Sequence, residues 1–225
     1  MASREDVRTF FSLPSDFSSI GLEPRSDWEP YFCTPEGAEP VGWIGCDGVH
    51  FVLLPGDERV YCVDPAMGQE GTYVLPVGRH FREFLSFVLF CRDANPISQI
   101  SWMTEEQYRN LLKEDAQATW PGCEETFQHK AAALSAIADA FGLEPRDPFE
   151  PVKAMQAAFD PSALVFSDEY YDVLGLENPR HRVEREPGRG CGVFPPVFFG
   201  RKRRNDSDDP EEHPAGSGRP GQSGV

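Results

Sequence analysis

The chain has 225 residues, of which 40% are hydrophobic and 17 are Phe, so it is long enough to build a substantial core. Its formal net charge is −16, and only 8 of its 21 basic and 7 of its 37 acidic residues lie in 181–225, which leaves residues 1–180 strongly acidic. That charge repels nucleic-acid phosphates and anionic membranes, so we expect neither as a partner. It favours a basic protein or a metal ion, and the alternative is that it serves only solubility.

The start of the chain and its cysteines indicate a reducing compartment. Residues 1–11, MASREDVRTFF, contain no apolar run typical of a signal peptide, and no stretch approaches the roughly 18 apolar residues of a membrane span. The six cysteines form no C-x-x-C pair and are irregularly spaced. We therefore expect reduced thiols that pack as small hydrophobes, and a cytoplasmic protein.

Residues 1–40 are rich in proline and turn residues and show no sustained helical period. They predict an irregular lead-in whose aromatic side chains pack onto a sheet, with a short strand around Tyr31–Cys33. The next part of the chain, up to residue 75, predicts the three or four short antiparallel strands of that sheet.

Turn signals separate the predicted strands. Asp47-Gly48 is a strong two-residue hairpin signal after the apolar GWIG. The run Val49–Leu54 is apolar throughout, which is typical of a strand buried on both faces. Pro55–Glu58 then turns the chain into a strand at Arg59–Val63, and Thr72–Leu75 predicts another strand, which the following proline ends.

The hydrophobic period then changes to that of a helix. Apolar residues recur with helical spacing and predict an amphipathic helix lying on the sheet, at Phe81, Phe84, Leu85, Val88 and Leu89. The segment Asp93–Pro96 stops this helix, because a residue before proline avoids the helical region. A second helix begins at Thr104, which with Gln107 fits a capping box.

Three further elements follow. Glu124–Phe141 predicts a third, Ala-rich helix whose apolar stripe includes Phe127 and Ala131 and which Gly142 terminates. A fourth helix covers roughly Pro148–Phe159, with proline near its first turn, where a missing N–H costs nothing. Beyond it, the sequence predicts a strand at 163–166 and a turn of helix at 169–174.

These elements predict an α+β fold, a twisted antiparallel sheet made as a meander of short strands and covered by amphipathic helices. The acidic α+β domain is predicted to span residues 1–178. Residues 179–204 form an Arg/Gly/Pro-rich extension with an apolar stretch at 192–200, and residues 205–225 a disordered tail.

The densest group of possible metal ligands surrounds the first hairpin: Cys46, Asp47, His50, Cys62 and Asp64. Zinc needs three or four converging ligands, and here only His50 and Cys62 are placed to converge across a pair of strands. We therefore predict that the cluster is architectural and that the chain holds no metal and no cofactor. A nucleophilic pair drawn from Cys46, Cys91, His50 and His80 lacks any known nucleophile signature.

Two segments resemble the SUKH superfamily, which includes the yeast cell-wall assembly regulator type and many bacterial immunity proteins. Tyr61–Asp64 is similar to the family's aspartate-ended strand, and Phe81, Phe84 and Leu85 are similar to its "sFeeFL" helix. The family's leading helix has no counterpart in the pattern of residues 1–40. The chain also resembles uncharacterised bacterial proteins with a "DGVHF" strand and a "YDV" segment, for which no activity is implied.

The resemblance implies a non-catalytic protein-binding module, an immunity or adaptor protein that binds a toxin domain or another basic protein in the cytoplasm. The alternatives are a small hydrolase or transferase that uses Cys or His, and a structural or regulatory protein with no discrete site. Turn and strand-end positions are exposed, so we predict an acidic rim for a basic partner, at Asp57, Glu58, Asp64 and Glu70. The alternative is that they are solvated turn residues.

Overall fold

The computed structural model describes residues 2–25, 27–67, 73–121 and 123–181. Contacts within the chain group residues 1–182 into one compact unit and residues 183–225 into another, and the second unit lies outside the described residues. The predicted extension and tail, 179–225, are therefore outside them except for 179–181. In the first unit the predicted α+β class is confirmed, with a four-stranded antiparallel sheet and seven α-helices in the described part.

The sheet is a simple meander with the strand order β1-β2-β3-β4, each strand antiparallel to the next. Its strands are β1 Glu39–Trp43, β2 His50–Leu53, β3 Val60–Val63 and β4 Val74–Gly78. The predicted hairpin turn is confirmed, because Asp47 and Gly48 have φ values of 53° and 71° and Val49 N–H donates to Cys46 O at 3.2 Å. Two positive φ values in succession are the geometry that an Asp-Gly pair favours.

The α-helices are α1 Ala2–Phe11, α2 Phe81–Cys91, α3 Asn95–Ser98, α4 Glu105–Gln117, α5 Cys123–Phe141, α6 Phe149–Ala157 and α7 Asp168–Leu174. The capping box is confirmed, since Thr104 Oγ1 accepts from Gln107 N–H and the Gln107 side chain accepts from Thr104 N–H. The stop at Gly142 is also confirmed, with a φ of 61°. Sequence signals thus place these helix ends correctly.

Both faces of the sheet are covered, which explains why every residue of β2 and β3 is buried. On one face, Phe51 and Cys62 belong to the main core with α1, α2, α5 and α6. On the other face, Val52 and Tyr61 form a smaller core with Phe166 and with Tyr170 of α7. Since alternate residues of a strand point to opposite faces, His50 shares the second face with Val52.

The prediction that the first 40 residues lack a helix is wrong, because α1 spans Ala2–Phe11. Its buried residues include the polar Ser3 and Asp6. Ser3 Oγ donates to Glu58 O at 2.8 Å, and Asp6 binds the Arg82 guanidinium at 2.9 and 3.0 Å. Apart from Ala2, its apolar residues are confined to its second half, at Val7, Phe10 and Phe11, so the sequence shows too short an apolar stripe to reveal a helix.

Three strand predictions are also wrong. Residues 31–34 form a turn rather than a strand, with Thr34 N–H donating to Tyr31 O at 2.8 Å. Pro76 lies inside β4 instead of ending the strand, which is possible because β4 is at the edge of the sheet, where a missing N–H breaks no ladder. Residues 163–166 form no strand; Val165 O accepts from Glu36 N–H at 2.8 Å, but no ladder of such bonds follows in the described residues.

The apolar stripe predicted for α5 is only partly correct. Leu134, Ile137 and Phe141 are buried, whereas Phe127 is 39% exposed and Ala131 is exposed. The first half of α5 therefore extends beyond the core.

In the described residues, no helix is long and apolar enough to span a membrane.

Candidate functional site

An open cleft of about 690 Å³ lies between the end of β1 and the loop formed by residues 23–31. Its volume falls within the roughly 300–1,000 Å³ of typical ligand sites. Three aromatic rings and three carboxylates line it, those of Trp28, Tyr31, Trp43, Glu23, Asp27 and Glu29. This mixture of ring faces and negative charge distinguishes the cleft from the core.

The loop is held against β1 by main-chain bonds. Glu23 N–H donates to Trp43 O at 2.8 Å, and Trp43 N–H donates to Glu23 O at 3.0 Å. Gly42 allows this close approach, because a Cβ on it would lie 2.9 Å from Leu22 Cα. The rim and the wall of the cleft are therefore fixed to each other through the backbone.

A stack of rings forms the floor of the cleft. The His50 ring lies parallel to Trp43, with centroids 5.2 Å apart and an interplanar angle of 15°, and Tyr31 stacks on His50 at 5.7 Å. Trp28 contacts Trp43 with centroids 5.5 Å apart at an angle of 60°. Because Trp43 and His50 are cross-strand partners of β1 and β2, the sheet register itself brings these two rings together.

His50 is fully buried and both of its ring nitrogens are engaged. Nδ1 lies 2.7 Å from Gly48 O, and because a carbonyl oxygen only accepts, Nδ1 carries the proton. Nε2, 3.2 Å from Thr34 Oγ1, then accepts from that hydroxyl in the neutral ring. Burial lowers the pKa of His50 from its ordinary 6.5, so the ring is neutral at pH 7 and supports the stack.

The charge of the cleft is negative, with one cation of its own. Arg25 lies over the Trp43 ring, with Cζ 5.4 Å from the centroid, and its guanidinium is 3.5 Å from Glu23. Asp27 and Glu29 have no ion-pair partner among the described residues. The position of Arg25 shows that the cleft can hold a cation on an aromatic face next to a carboxylate.

Trp43 also carries an unmet hydrogen-bond donor. The residue is 2% exposed, and its indole N–H has no acceptor within the described part of the chain. A buried donor without a partner costs about 1–3 kcal/mol, so natural proteins rarely keep one. An acceptor that is brought by a ligand would remove this cost.

Asp57, Glu58 and Asp64, the predicted acidic residues that the structure describes, do not line this cleft, and each accepts a hydrogen bond within the chain. Arg59 binds Asp57 through Nε and Nη2 at 3.0 and 2.6 Å, and Tyr61 Oη donates to Asp57 at 2.8 Å. Glu58 accepts from Ser3 N–H at 2.7 Å. Both side chains are partly buried, so the predicted free exposure of this turn is wrong.

Electrostatics agree with a structural role for these two residues. Burial by itself would raise the pKa of Asp57, but the hydrogen bonds from Arg59 and Tyr61 outweigh it and lower the pKa to about 2. The bond from the backbone N–H of Ser3 lowers the pKa of Glu58. Both carboxylates are thus held as anions by the fold itself.

The remaining predicted site residues lie elsewhere. Asp64 follows the opposite end of β3, is partly buried, and its side chain accepts from Ala66 N–H at 2.9 Å within its own turn. Glu70 lies outside the described residues. The structure therefore does not bring Asp57, Glu58 and Asp64 together at one end of the sheet, and a role for any of them in binding stays a prediction.

Four cysteines of the described residues are buried, Cys33, Cys62, Cys91 and Cys123, whereas Cys46 is exposed. Burial raises the pKa of Cys33 and of Cys91 to about 12 and also raises the pKa of Cys62. His50 and Cys62 do not converge, because Phe51 is the register partner of Cys62 and the two share the opposite face from His50. No group of three His, Cys, Asp or Glu side chains that could hold a metal occurs in the described ranges.

Sequence reasoning noted Trp28 and Tyr31 only as apolar points that pack onto a sheet. The available signal was composition, since aromatic and acidic residues alternate in Asp27-Trp28-Glu29 and precede Tyr31. An aromatic residue between two carboxylates in a proline-rich loop is poorly suited to a core. This pattern could have identified the loop as a surface feature.

The segments that carry the family resemblance lie at the centre of the fold. Tyr61–Val63 belongs to β3, and Phe81, Phe84 and Leu85 are fully buried residues of α2. These apolar positions are explained by packing alone, so they do not identify a family by themselves. Comparison with family models, with curated proteins and with solved structures gives no match for this chain, and the SUKH resemblance stays a prediction.

Proposed function

We propose that this chain is a non-catalytic protein-binding module that takes up a basic side chain of its partner in the cleft between β1 and the 23–31 loop. The observation that carries the proposal is the combination of three aromatic rings with three carboxylates in one open cavity. Aromatic faces attract cations through their quadrupole, and flanking carboxylates add Coulomb attraction. Lysine and arginine side chains meet both requirements.

The position of Arg25 supports this choice of ligand. Its guanidinium lies over Trp43 at 5.4 Å, within the roughly 6 Å range of cation–π contacts. Because the Arg25 side chain is 39% exposed, an incoming cation can displace or join it without disturbing the core. The strongly acidic composition further favours a basic partner by steering its approach.

The thiol environments of Cys33, Cys62 and Cys91 argue against any of the three as the nucleophile of a hydrolase or transferase, so within the described residues that alternative rests on the exposed Cys46. A nucleophilic cysteine needs a lowered pKa, whereas burial raises the pKa of Cys33, Cys62 and Cys91. Both ring nitrogens of His50 are engaged in structural hydrogen bonds. From the SUKH resemblance, we propose more specifically an immunity or adaptor protein that acts in the cytoplasm on a basic toxin domain or a similar protein.

A charge-matched binding assay tests the proposal. The probe is fluorescein-labelled hexa-arginine, and its affinity is measured by fluorescence anisotropy in 0.15 M salt, where the Debye length is about 8 Å. The variants are Trp28→Ala and Tyr31→Ala, with Trp102→Ala as the control, since Trp102 is 52% exposed and does not line the cleft. All three keep the net charge of the protein unchanged.

Trp28→Ala and Tyr31→Ala are each expected to weaken binding about fivefold to thirtyfold, which corresponds to a cation–π contribution of about 1–2 kcal/mol. Trp102→Ala is expected to bind like the wild type. Equal affinities for all four proteins would show that the probe responds only to overall charge, and the cleft would then not be the binding site. Thermal melts verify that each variant is folded.

A further inference from the structure

A second cavity adjoins the cleft on the other side of Trp43. This groove has a volume of about 310 Å³ and lies between the end of α1 and β1. It contains no acidic side chain, and its wall is mainly apolar, formed by Phe11, Leu13, Phe17, Pro24, Pro40 and Trp43. Phe11 is 40% exposed, so part of its ring is accessible to a ligand in the groove.

The groove and the cleft share a wall. Pro24, Arg25 and Trp43 line both cavities, so one short ligand segment can occupy the two at once. The two differ in chemistry, because the carboxylates Asp27 and Glu29 line only the cleft. The surface therefore presents a site for a cation directly beside a site for an apolar side chain.

Resting on the proposed function, we infer that Trp43 is the centre of a bipartite peptide site. A cationic side chain of the partner enters the cleft, and a large apolar side chain of the same segment enters the groove. The occupant is a peptide segment because it has a carbonyl at every residue, and one of these is the acceptor that the buried indole N–H of Trp43 lacks within the described residues. In the bound state Arg25, which lies over the Trp43 ring, moves aside for the incoming segment, and a carbonyl of that segment reaches the indole N–H.

Peptide pairs of equal charge distinguish binding in the apolar groove from binding in the acidic cleft. Labelled hexa-arginine is extended at either end by Leu-Leu or by Gly-Gly, and the affinity of each form is measured for the wild type. Burying an apolar side chain is favourable, and part of this gain remains in a groove that is open to solvent. When the extension is at one of the two ends of hexa-arginine, the Leu-Leu form is expected to bind about tenfold tighter than the Gly-Gly form.

Two variants assign this gain to the groove. Phe11→Ala removes part of the groove wall, and Ser15→Tyr fills the groove without removing a core side chain. Each is expected to reduce the gain from Leu-Leu from about tenfold to less than about threefold, while binding of the Gly-Gly form stays unchanged. Either variant is sufficient if the other does not fold.

Several outcomes would overturn the bipartite site. One is a Leu-Leu form that binds no tighter than the Gly-Gly form, and another is a gain that survives both Phe11→Ala and Ser15→Tyr. A wild-type dimer in sedimentation velocity that Phe11→Ala converts to a monomer would assign the groove to a second copy of the chain. If the Gly-Gly form still loses affinity on Trp28→Ala, the proposed function stands, whereas insensitivity to Trp28→Ala rejects both.

Discussion

Replacing Asp57 by Asn tests whether the predicted acidic rim is a binding surface or part of the fold. Neutralising solvated, crowded carboxylates would leave stability unchanged or raise it. The structure gives the opposite expectation, because Asp57 accepts from the Arg59 guanidinium at 2.6 Å and from Tyr61 Oη at 2.8 Å. An Asn amide cannot form the ion pair, and it leaves the half-buried guanidinium with a weaker partner.

The magnitude follows from the pKa of Asp57, which is lowered from 3.8 to about 2 in the folded protein. A fall of about two pKa units is worth about 2.5 kcal/mol at neutral pH. Because the side chains of Arg59 and Asp57 are 39% and 25% exposed, solvent screening reduces this to about 1–2 kcal/mol. Asp57→Asn is therefore expected to lower the free energy of unfolding by about 1–2 kcal/mol at pH 7.

The pH dependence separates this ion pair from a general packing defect. Since the folded protein holds Asp57 as an anion more strongly than the unfolded chain does, the stabilisation is complete above about pH 4 and is lost as the pH falls toward 2. In urea denaturation, the difference between wild type and Asp57→Asn should be about half as large at pH 3 as at pH 7. A difference that is the same at both values would refute the reasoning.

Glu144→Gln, at an exposed loop residue, is the control and should show no such pH-dependent difference.

Phe84 is fully buried with its ring 4.8 Å from Phe51, so Phe84→Ala should cost about 3–5 kcal/mol in urea denaturation, and a loss below about 1 kcal/mol would contradict this packing. Gly42→Ala places a Cβ 2.9 Å from Leu22 Cα and should cost about 1–3 kcal/mol; an unchanged stability would show that the loop shifts freely. A chelator should leave the melting temperature unchanged, whereas about one zinc per chain, with destabilisation on its removal, would contradict the architectural interpretation of His50 and Cys62.

Local signals allowed much of the fold to be predicted. The Asp47-Gly48 turn, the Thr104–Gln107 capping box and the stop at Gly142 each depend on residues within a few positions of one another. The turn and the stop relieve backbone strain at positive φ, and the capping box satisfies unpaired N–H groups at a helix start. The residue types that do this are visible in the sequence. The stripe of α2 was equally evident, because its buried residues recur with the helical period.

Features that depend on distant partners could not be predicted in this way. The polar residues that α1 buries find their partners across 55 to 78 positions, as in the bond from Phe81 N–H to Ser3 Oγ. Pro76 is compatible with a strand only because β4 is at the edge of the sheet, and the strand order is not written in the local sequence. Asp57 is a different case, because its partners Arg59 and Tyr61 are close in the sequence, but whether their side chains meet depends on the shape of the turn.

At Gly48, next to the candidate site, a local sequence signal and a contact with a distant residue occur together. The hairpin turn requires a positive φ there, and Asn would meet that requirement nearly as well as Gly. Any Cβ at this position, however, would lie 2.6 Å from Cζ of the Tyr31 ring, and Gly48 O also accepts the proton of His50 Nδ1. Because Tyr31 is 38% exposed, its ring can swing away from an added Cβ without unfolding the core. A side chain at Gly48 would therefore strain the turn, least for Asn, and would also move one wall of the cleft, so the turn that explains the hairpin also positions the proposed binding site.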